Sequence, residues 1–288
     1  MKTIGVLANV SKPEAASVLQ RLSAKAKLLG LRIVSFGETA KLIDGCAHAQ
    51  AEDIAGKIDV MLAVGGDGTM LQAAHLVHRT ATPILGVNLG FLGFLTSVAQ
   101  AELEQALDQL VAGNFTYSDR TTIDCTVWRG GKKLGESRAI NDVVVGWGQS
   151  SRIITFDVTI DSDPMTSYRC DGIIIATPTG STAHSLSAGG PIVHPETPAL
   201  LINVISPHTL TARPVVLPER HVVGVTVAES GKELLGSVDG QEQYKLRQGD
   251  RLVLRTSADR VRFIHLPGYN YFDVLRQKLN WRGSSGPR

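Results

Sequence analysis

The hydrophobic pattern of this chain changes period once, near Tyr117, and that change limits the folds open to it. Before it, short apolar runs alternate with helical spacing. Thr3 to Ala8 is such a run. Leu19, Leu22, Ala26 and Leu29 follow at helical intervals behind Ser11 and Pro13, which predict a capped start, and Gly30 predicts the end. Leu31 to Phe36, Ile58 to Val64 and Pro83 to Val87 read as further strands. Leu71, Ala74 and Val77, then Leu103, Leu107 and Leu110 before Gly113, read as helices. Strands apolar on both faces and separated by helices predict a parallel sheet covered by helices.

Beyond Tyr117 the period is two. Ile123, Cys125 and Val127 alternate with polar residues, as do Ile154, Phe156, Val158 and Ile160. Val222 to Ala228, Leu252 to Leu254 and Val261 to Ile264 add short strands with no long helix between them, which predicts an antiparallel, all-β unit. After Pro267-Gly268, Tyr271 to Trp281 reads as a helix with Phe272, Leu275 and Leu279 on one side, returning to the first unit. The expected division is 1–118, 119–266 and 267–288.

Composition removes several function classes. The chain has 288 residues, 43% hydrophobic and 19% charged, so disordered and fibrous classes do not apply. Its net charge is +2, and the basic residues form no stripe, which argues against nucleic acid as a partner. Cys46, Cys125 and Cys170 match no metal-ligand or redox spacing and suit a reducing, cytoplasmic compartment. The apolar stretch from Pro83 to Leu95 holds three glycines and Asn88 and is too short to span a bilayer, so no membrane association is expected.

The strongest chemical signal is Gly65-Gly66-Asp67-Gly68-Thr69, between an apolar strand and an amphipathic helix. Consecutive glycines let backbone N–H groups converge on an anion, and the following helix start adds its dipole. Asp67 is then either a helix cap, a ligand for the metal of a nucleotide phosphate, or a base toward an attacking hydroxyl. No G-x-x-x-x-G-K-[ST] or G-x-G-x-x-G motif occurs, and no lysine lies between Val60 and Arg79. A second signal runs from Asp171-Gly172 through an apolar strand into Thr177-Pro178-Thr179-Gly180-Ser181-Thr182-Ala183, then Ser185, Ser187, Gly189 and Gly190. Hydroxyls and free amides at this density suit ribose and pyrophosphate oxygens, with Arg152 and Arg169 as sources of positive charge. Asn141-Asp142 and Asp239-Gly240-Gln241 read as turns when taken singly. His75 and His78 lie one helical turn apart without a third metal ligand, and His208 sits in a proline loop.

Together and in this order, these blocks resemble NAD kinase, with Leu186-Ser187-Ala188-Gly189-Gly190-Pro191, Ser206-Pro207-His208 and Asn270-Tyr271-Phe272 extending the likeness over nearly the whole chain. The resemblance implies a Rossmann-like N-terminal domain, an all-β C-terminal domain, and transfer of the ATP γ-phosphate to the 2′-hydroxyl of the adenosine ribose of NAD. It implies Asp67 as general base with Gly68 beside it, and Gly65, Gly66, Gly68 and Thr69 as the phosphate loop. For NAD it implies Asp67, Gly68, Asn141, Asp142, Arg152, Arg169, Asp171, Thr182, Ala183, His184, Ser185, Leu186, Ser187 and Gln241. A divalent cation such as Mg²⁺ is implied, with no residue assigned as its dedicated ligand, and so is a homo-oligomer, dimer or tetramer. Where relatives commonly carry tyrosine, this chain has His184. A lipid or sugar kinase with the same Asp67 loop has no use for the Thr177-to-Ser187 block, and a non-catalytic dinucleotide sensor has no use for the Asp67 carboxylate.

Overall fold

A computed structural model describes residues 1–78, 80–90, 93–147, 153–231 and 233–281. The chain forms β1 (Thr3–Ala8), α1 (Ala15–Leu28), β2 (Arg32–Ser35), α2 (Gly37–Lys41), β3 (Ala47–His48), β4 (Val60–Gly65), α3 (Asp67–Val77), β5 (Ile84–Asn88), β6 (Val98–Ala99), α4 (Leu103–Ala112) and β7 (Thr116–Arg120). Then come β8 (Ile123–Arg129), β9 (Lys132–Ala139), β10 (Asp142–Trp147), β11 (Ile154–Ile160), β12 (Asp163–Cys170), β13 (Gly172–Ala176) and α5 (His184–Ser187). The last elements are β14 (Ala199–Ile205), β15 (Val215–Pro218), β16 (Val223–Glu229), β17 (Leu234–Val238), β18 (Glu242–Leu246), β19 (Arg251–Thr256), β20 (Val261–His265) and α6 (Tyr271–Lys278). Two compact units result: residues 1–119 with 261–288, and residues 120–260.

The first unit is an α/β sheet in the order β3-β2-β1-β4-β5-β20-β7, with β6 beside β5. The β1, β2, β3, β4 and β5 pairings are parallel. Both faces of its central strands are covered. Val6, Leu62, Val64, Leu85 and Val87 pack with Leu19 and Leu22 of α1 and Leu103 and Leu107 of α4. On the other face α3 lies close to β5: a Cβ at Gly86 would sit 2.6 Å from Met70 Sδ. Because β2 and β3 lie to one side of β1 and β4 to the other, the strand order reverses between β1 and β4. In an open parallel sheet the carboxyl ends of the strands at such a reversal form a crevice where ligands bind.

Three expectations need correction. The first helix begins at Ala15, and Ser11 does not cap it: the Ser11 hydroxyl donates to Asn9 Oδ1 (2.7 Å) inside the preceding turn. Val261–His265 does not belong to the β unit; it pairs in parallel with β5 through Phe263 and Ile84, so the return to the first unit starts at residue 261 rather than 267. A five-residue apolar run carries no mark of which sheet it joins. At α6, Leu275 is buried and Leu279 half-buried as expected, but Phe272 is exposed and Val274 is buried in its stead.

The second unit is a sandwich of two antiparallel six-stranded sheets, ordered β15-β14-β13-β10-β17-β18 and β12-β11-β16-β19-β8-β9. Ile173, Ile175, Leu200 and Ile202 from the one meet Phe156, Val158, Val225 and Leu252 from the other. The outer face of the first of these sheets is also covered. Ile174, Ala176 and Leu201 pack beneath Ala188 and Val193, which explains why β13 is apolar on both faces. The segment that follows β13 is therefore held down on the sheet.

Phe263 is 1% exposed and Phe272 is 56% exposed. Phe263→Ala should destabilise the protein by about 3–5 kcal/mol, and Phe272→Ala should fall within about 0.5 kcal/mol of wild type. Urea unfolding of the two variants measures both.

Candidate active site

In the first unit the glycine block follows β4 at the strand-order reversal. The neighbouring strands close around it: Asn9 N donates to Val64 O (2.9 Å) and Leu89 N to Gly65 O (3.0 Å). Gly65 is forced by a close approach, since a Cβ there would lie 2.2 Å from Thr69 Oγ1. Gly66 and Gly68 have open space where a side chain would stand, so the bare backbone at the start of α3 is accessible. Amide N–H groups of a first helical turn have no partner within the helix. Thr69, expected in the phosphate loop, is buried behind Gly65.

Asp67 is the first residue of α3 and is half-buried. Its Oδ2 accepts the Phe94 N–H (3.0 Å) and its Oδ1 the Leu95 N–H (2.9 Å). The loop giving these donors is itself pinned, because Thr96 Oγ1 accepts from Gly93 N (3.0 Å) and from Asn88 Nδ2 (3.3 Å). A Cβ at Gly93 would fall 2.0 Å from Asp67 Oδ1, so this glycine is matched to the carboxylate. A carboxylate has roughly four lone-pair positions, and two remain for a ligand. Sequence reasoning missed this partnership; the only local signal was the glycine-rich run after Asn88.

In the second unit Asn141 and Asp142 open β10. Asp239, in the turn between β17 and β18 with a positive φ of 50°, gathers their backbone. Its Oδ2 accepts from Ile140 N (2.8 Å), and its Oδ1 from Asn141 N (2.8 Å) and Asp142 N (3.1 Å). The Thr177 hydroxyl donates to Ile140 O (2.5 Å) and Thr177 N to Asn141 O (2.8 Å). Gly180 passes so close that a Cβ would lie 2.0 Å from Asn141 O. The structure thus brings Asn141 and Asp142, the Asp239-to-Gln241 turn and the segment from Thr177 through α5 together. Asp239, read from sequence as an ordinary turn residue, is the clamp.

Along that segment Ser185 is buried, Thr182, Ala183 and Leu186 are half-buried, and His184, Ser187 and Gln241 are exposed. Some hydroxyls serve the fold: Thr182 Oγ1 donates to Thr179 O (3.2 Å), and Ser181 Oγ donates to Val193 O (3.2 Å). Others do not. Among the described residues, Asn141 Oδ1, Asp142 Oδ2, Thr179 Oγ1 and Ser185 Oγ are buried polar atoms with no partner. Buried polar atoms of folded proteins are almost always satisfied, and these four lie on neighbouring elements. Burial and the Asp239 charge push the Asp142 carboxyl up to about 7, against the His184 N–H that it accepts.

Asp171 and Arg169 are not part of this cluster. Asp142 pairs with Ala176 and Gly146 with Gly172, so Asp171 precedes the opposite end of β13, about 17 Å away at 3.4 Å per residue. There His208 Nε2 lies 3.9 Å from Asp171 Oδ1, and His208 N donates to Arg169 O (2.8 Å). Arg152 lies outside the described residues. His78 bonds back to the His75 carbonyl, and no group of three His, Cys, Asp or Glu among the described residues is arranged to hold a metal ion.

Residues 4–115 match the ATP-NAD kinase N-terminal domain and residues 140–266 the ATP-NAD kinase C-terminal domain. The NAD kinase of Chromohalobacter salexigens is 38% identical over 288 residues, covering 99% of this chain and 98% of that one. That of Geobacter sulfurreducens is 39% identical over 281 residues, covering 98% and 99%. The fold is also that of a yeast NADH kinase solved with NADH, with TM-score 0.90 and 24% identity over 100% of this chain and 89% of the other. An Archaeoglobus fulgidus NAD kinase solved with ATP gives TM-score 0.76 and 23% identity over 98% of this chain and 100% of the other. Matched in both domains and along its full length, the chain belongs to the NAD kinase family, which phosphorylates NAD at the expense of ATP.

Proposed function

We propose that Asp67 is the base of this reaction and that the Asn141-to-Ser187 surface of the second unit holds the dinucleotide. The observation that carries the second assignment is the set of four unpartnered buried polar atoms on Asn141, Asp142, Thr179 and Ser185. Thr182, Ala183, His184, Leu186, Ser187 and Gln241 border them and complete the NAD contacts. Arg152, Arg169 and Asp171 are assigned to NAD by family likeness. The N–H groups of Gly66, Asp67 and Gly68 face phosphate oxygens, as a helix start does for an anion.

In the transfer, the 2′-hydroxyl oxygen bonds to the γ-phosphorus while the bond from that phosphorus to the β–γ bridging oxygen breaks. The hydroxyl proton passes to a free lone pair of Asp67, whose orientation the Phe94 and Leu95 amides fix. A divalent cation would be held mainly by the substrate phosphates and water, as Mg²⁺ commonly is, which leaves the Asp67 lone pair for the proton; it would neutralise phosphate charge.

We also propose a homo-oligomeric, cytoplasmic protein. Leu210 is 94% exposed, with Val216 and Met165 exposed in the same unit, which suits burial against another copy. Cys46, Cys125 and Cys170 are not joined in disulfides, which suits a reducing compartment. No helix among the described residues is long and apolar enough to cross a membrane.

Asp67→Asn should lower kcat by about 10²–10⁴-fold while the Kd for NAD stays within about threefold. Steady-state kinetics with calorimetry measures both, and near wild-type turnover removes Asp67 from the base role. Gly93→Ala, which presses on the Asp67 carboxylate, should cost about tenfold or more in kcat with NAD affinity retained; the same pair of measurements tests it.

A further inference from the structure

We infer that Asp142 meets the dinucleotide as a neutral carboxylic acid, donating a hydrogen bond from its protonated oxygen to a carbonyl oxygen or ring nitrogen of the ligand, and that loss of this proton weakens NAD binding. The inference rests on the assignment of NAD to the Asn141-to-Ser187 surface. It starts from the two carboxyl groups that share the Ile140–Asp142 backbone. Asp239 accepts three N–H bonds, at 2.8, 2.8 and 3.1 Å, filling both of its oxygens with donors. Asp142 is 3% exposed, accepts one N–H from His184, and leaves Oδ2 buried without a partner. Burial and the neighbouring Asp239 charge both disfavour its ionised form.

The groups facing Asp142 leave no other source of compensation. The β13 partner is Ala176, which carries no charge. The turn after β17 brings Asp239, which repels a second anion, and α5 brings His184 through its backbone N–H, with its ring exposed. Among the described residues no cation forms an ion pair with Asp142, and its carboxyl is pushed up to about 7. Oδ2 is therefore a donor below that pH and a bare anion above it. A ligand hydroxyl can turn to suit either form, whereas a carbonyl oxygen or ring nitrogen pairs only with the acid.

The test is the Kd for NAD, by calorimetry on the full chain, between pH 5.5 and 8.5 for wild type, Asp142→Asn and Asp142→Ala. Wild-type Kd should rise by about tenfold or more between pH 6 and 8.5, following deprotonation of a group near pH 7. The Asn variant, whose amide donates at every pH, should lose that dependence, and the Ala variant should bind more weakly across the whole range. A wild-type Kd that is flat or falls with pH, or an Asn variant that keeps the wild-type profile, overturns the proposal and leaves the NAD assignment standing. An Ala variant with unaltered NAD affinity at every pH overturns both. Thermal melting supplies a readout independent of ligand. The folded protein holds the Asp142 proton more tightly than the unfolded chain, so wild type loses stability as pH rises from about 4 to about 7. Asp142→Asn should then melt higher than wild type at pH 8.5 and not at pH 4, and equal melting at both also counts against the proposal.

Discussion

A single carboxylate, that of Asp239, ties three consecutive backbone amides, Ile140 to Asp142, to the turn between β17 and β18. Its own N–H returns to Asp142 O (3.0 Å), so the two segments are bonded in both directions. With their amides committed there, the carbonyls of Ile140 and Asn141 are left to Thr177, and Gly180 fits against Asn141 because it has no side chain. The ligand-facing segment after β13 is thereby fastened at its start, and Ser181 fastens its middle to Val193. The unpartnered atoms of Asn141, Asp142, Thr179 and Ser185 lie on the segments that these bonds hold.

The first unit uses the same device. Asp67 holds the loop after β5 by two amides, as Asp239 holds the start of β10 by three. In both cases a short acidic side chain collects backbone amides, and at Asp67 the bare Gly93 gives it room. Their remaining capacity differs. Asp67 accepts two amide N–H groups and Asp239 three, so fewer acceptor positions are left on Asp239. Preorganised polar groups of this kind are effective in catalysis because they need not reorganise during the reaction.

Much of this was legible in the sequence. The change of period near Tyr117 separated the parallel sheet from the sandwich, and the glycine block located the strand-order reversal. The Thr177-to-Ser187 block stood out by its hydroxyls, although the Thr182 hydroxyl bonds within the segment and that of Ser181 to Val193. What escaped is long-range. Asp239 and Asn141 are 98 positions apart, as Asp67 and Leu95 are 28, and no local pattern announces that an aspartate will collect distant amides. The sheet membership of Val261–His265 escaped for the same reason, since apolar alternation specifies a strand and not its partner. Asp171 was grouped with the hydroxyl block because it lies nearby in sequence, yet a fully extended β13 carries the two to opposite ends.

The central claim is that the Asp239 carboxylate positions the ligand-facing backbone of residues 140–142. Amide hydrogen exchange in wild type and Asp239→Ala, followed residue by residue, tests it most directly. The account predicts that Ile140, Asn141 and Asp142 lose protection by about tenfold or more while β11 and β16 keep theirs, and that NAD no longer restores it. Unchanged protection at these three amides, with normal NAD affinity in the variant, would contradict it.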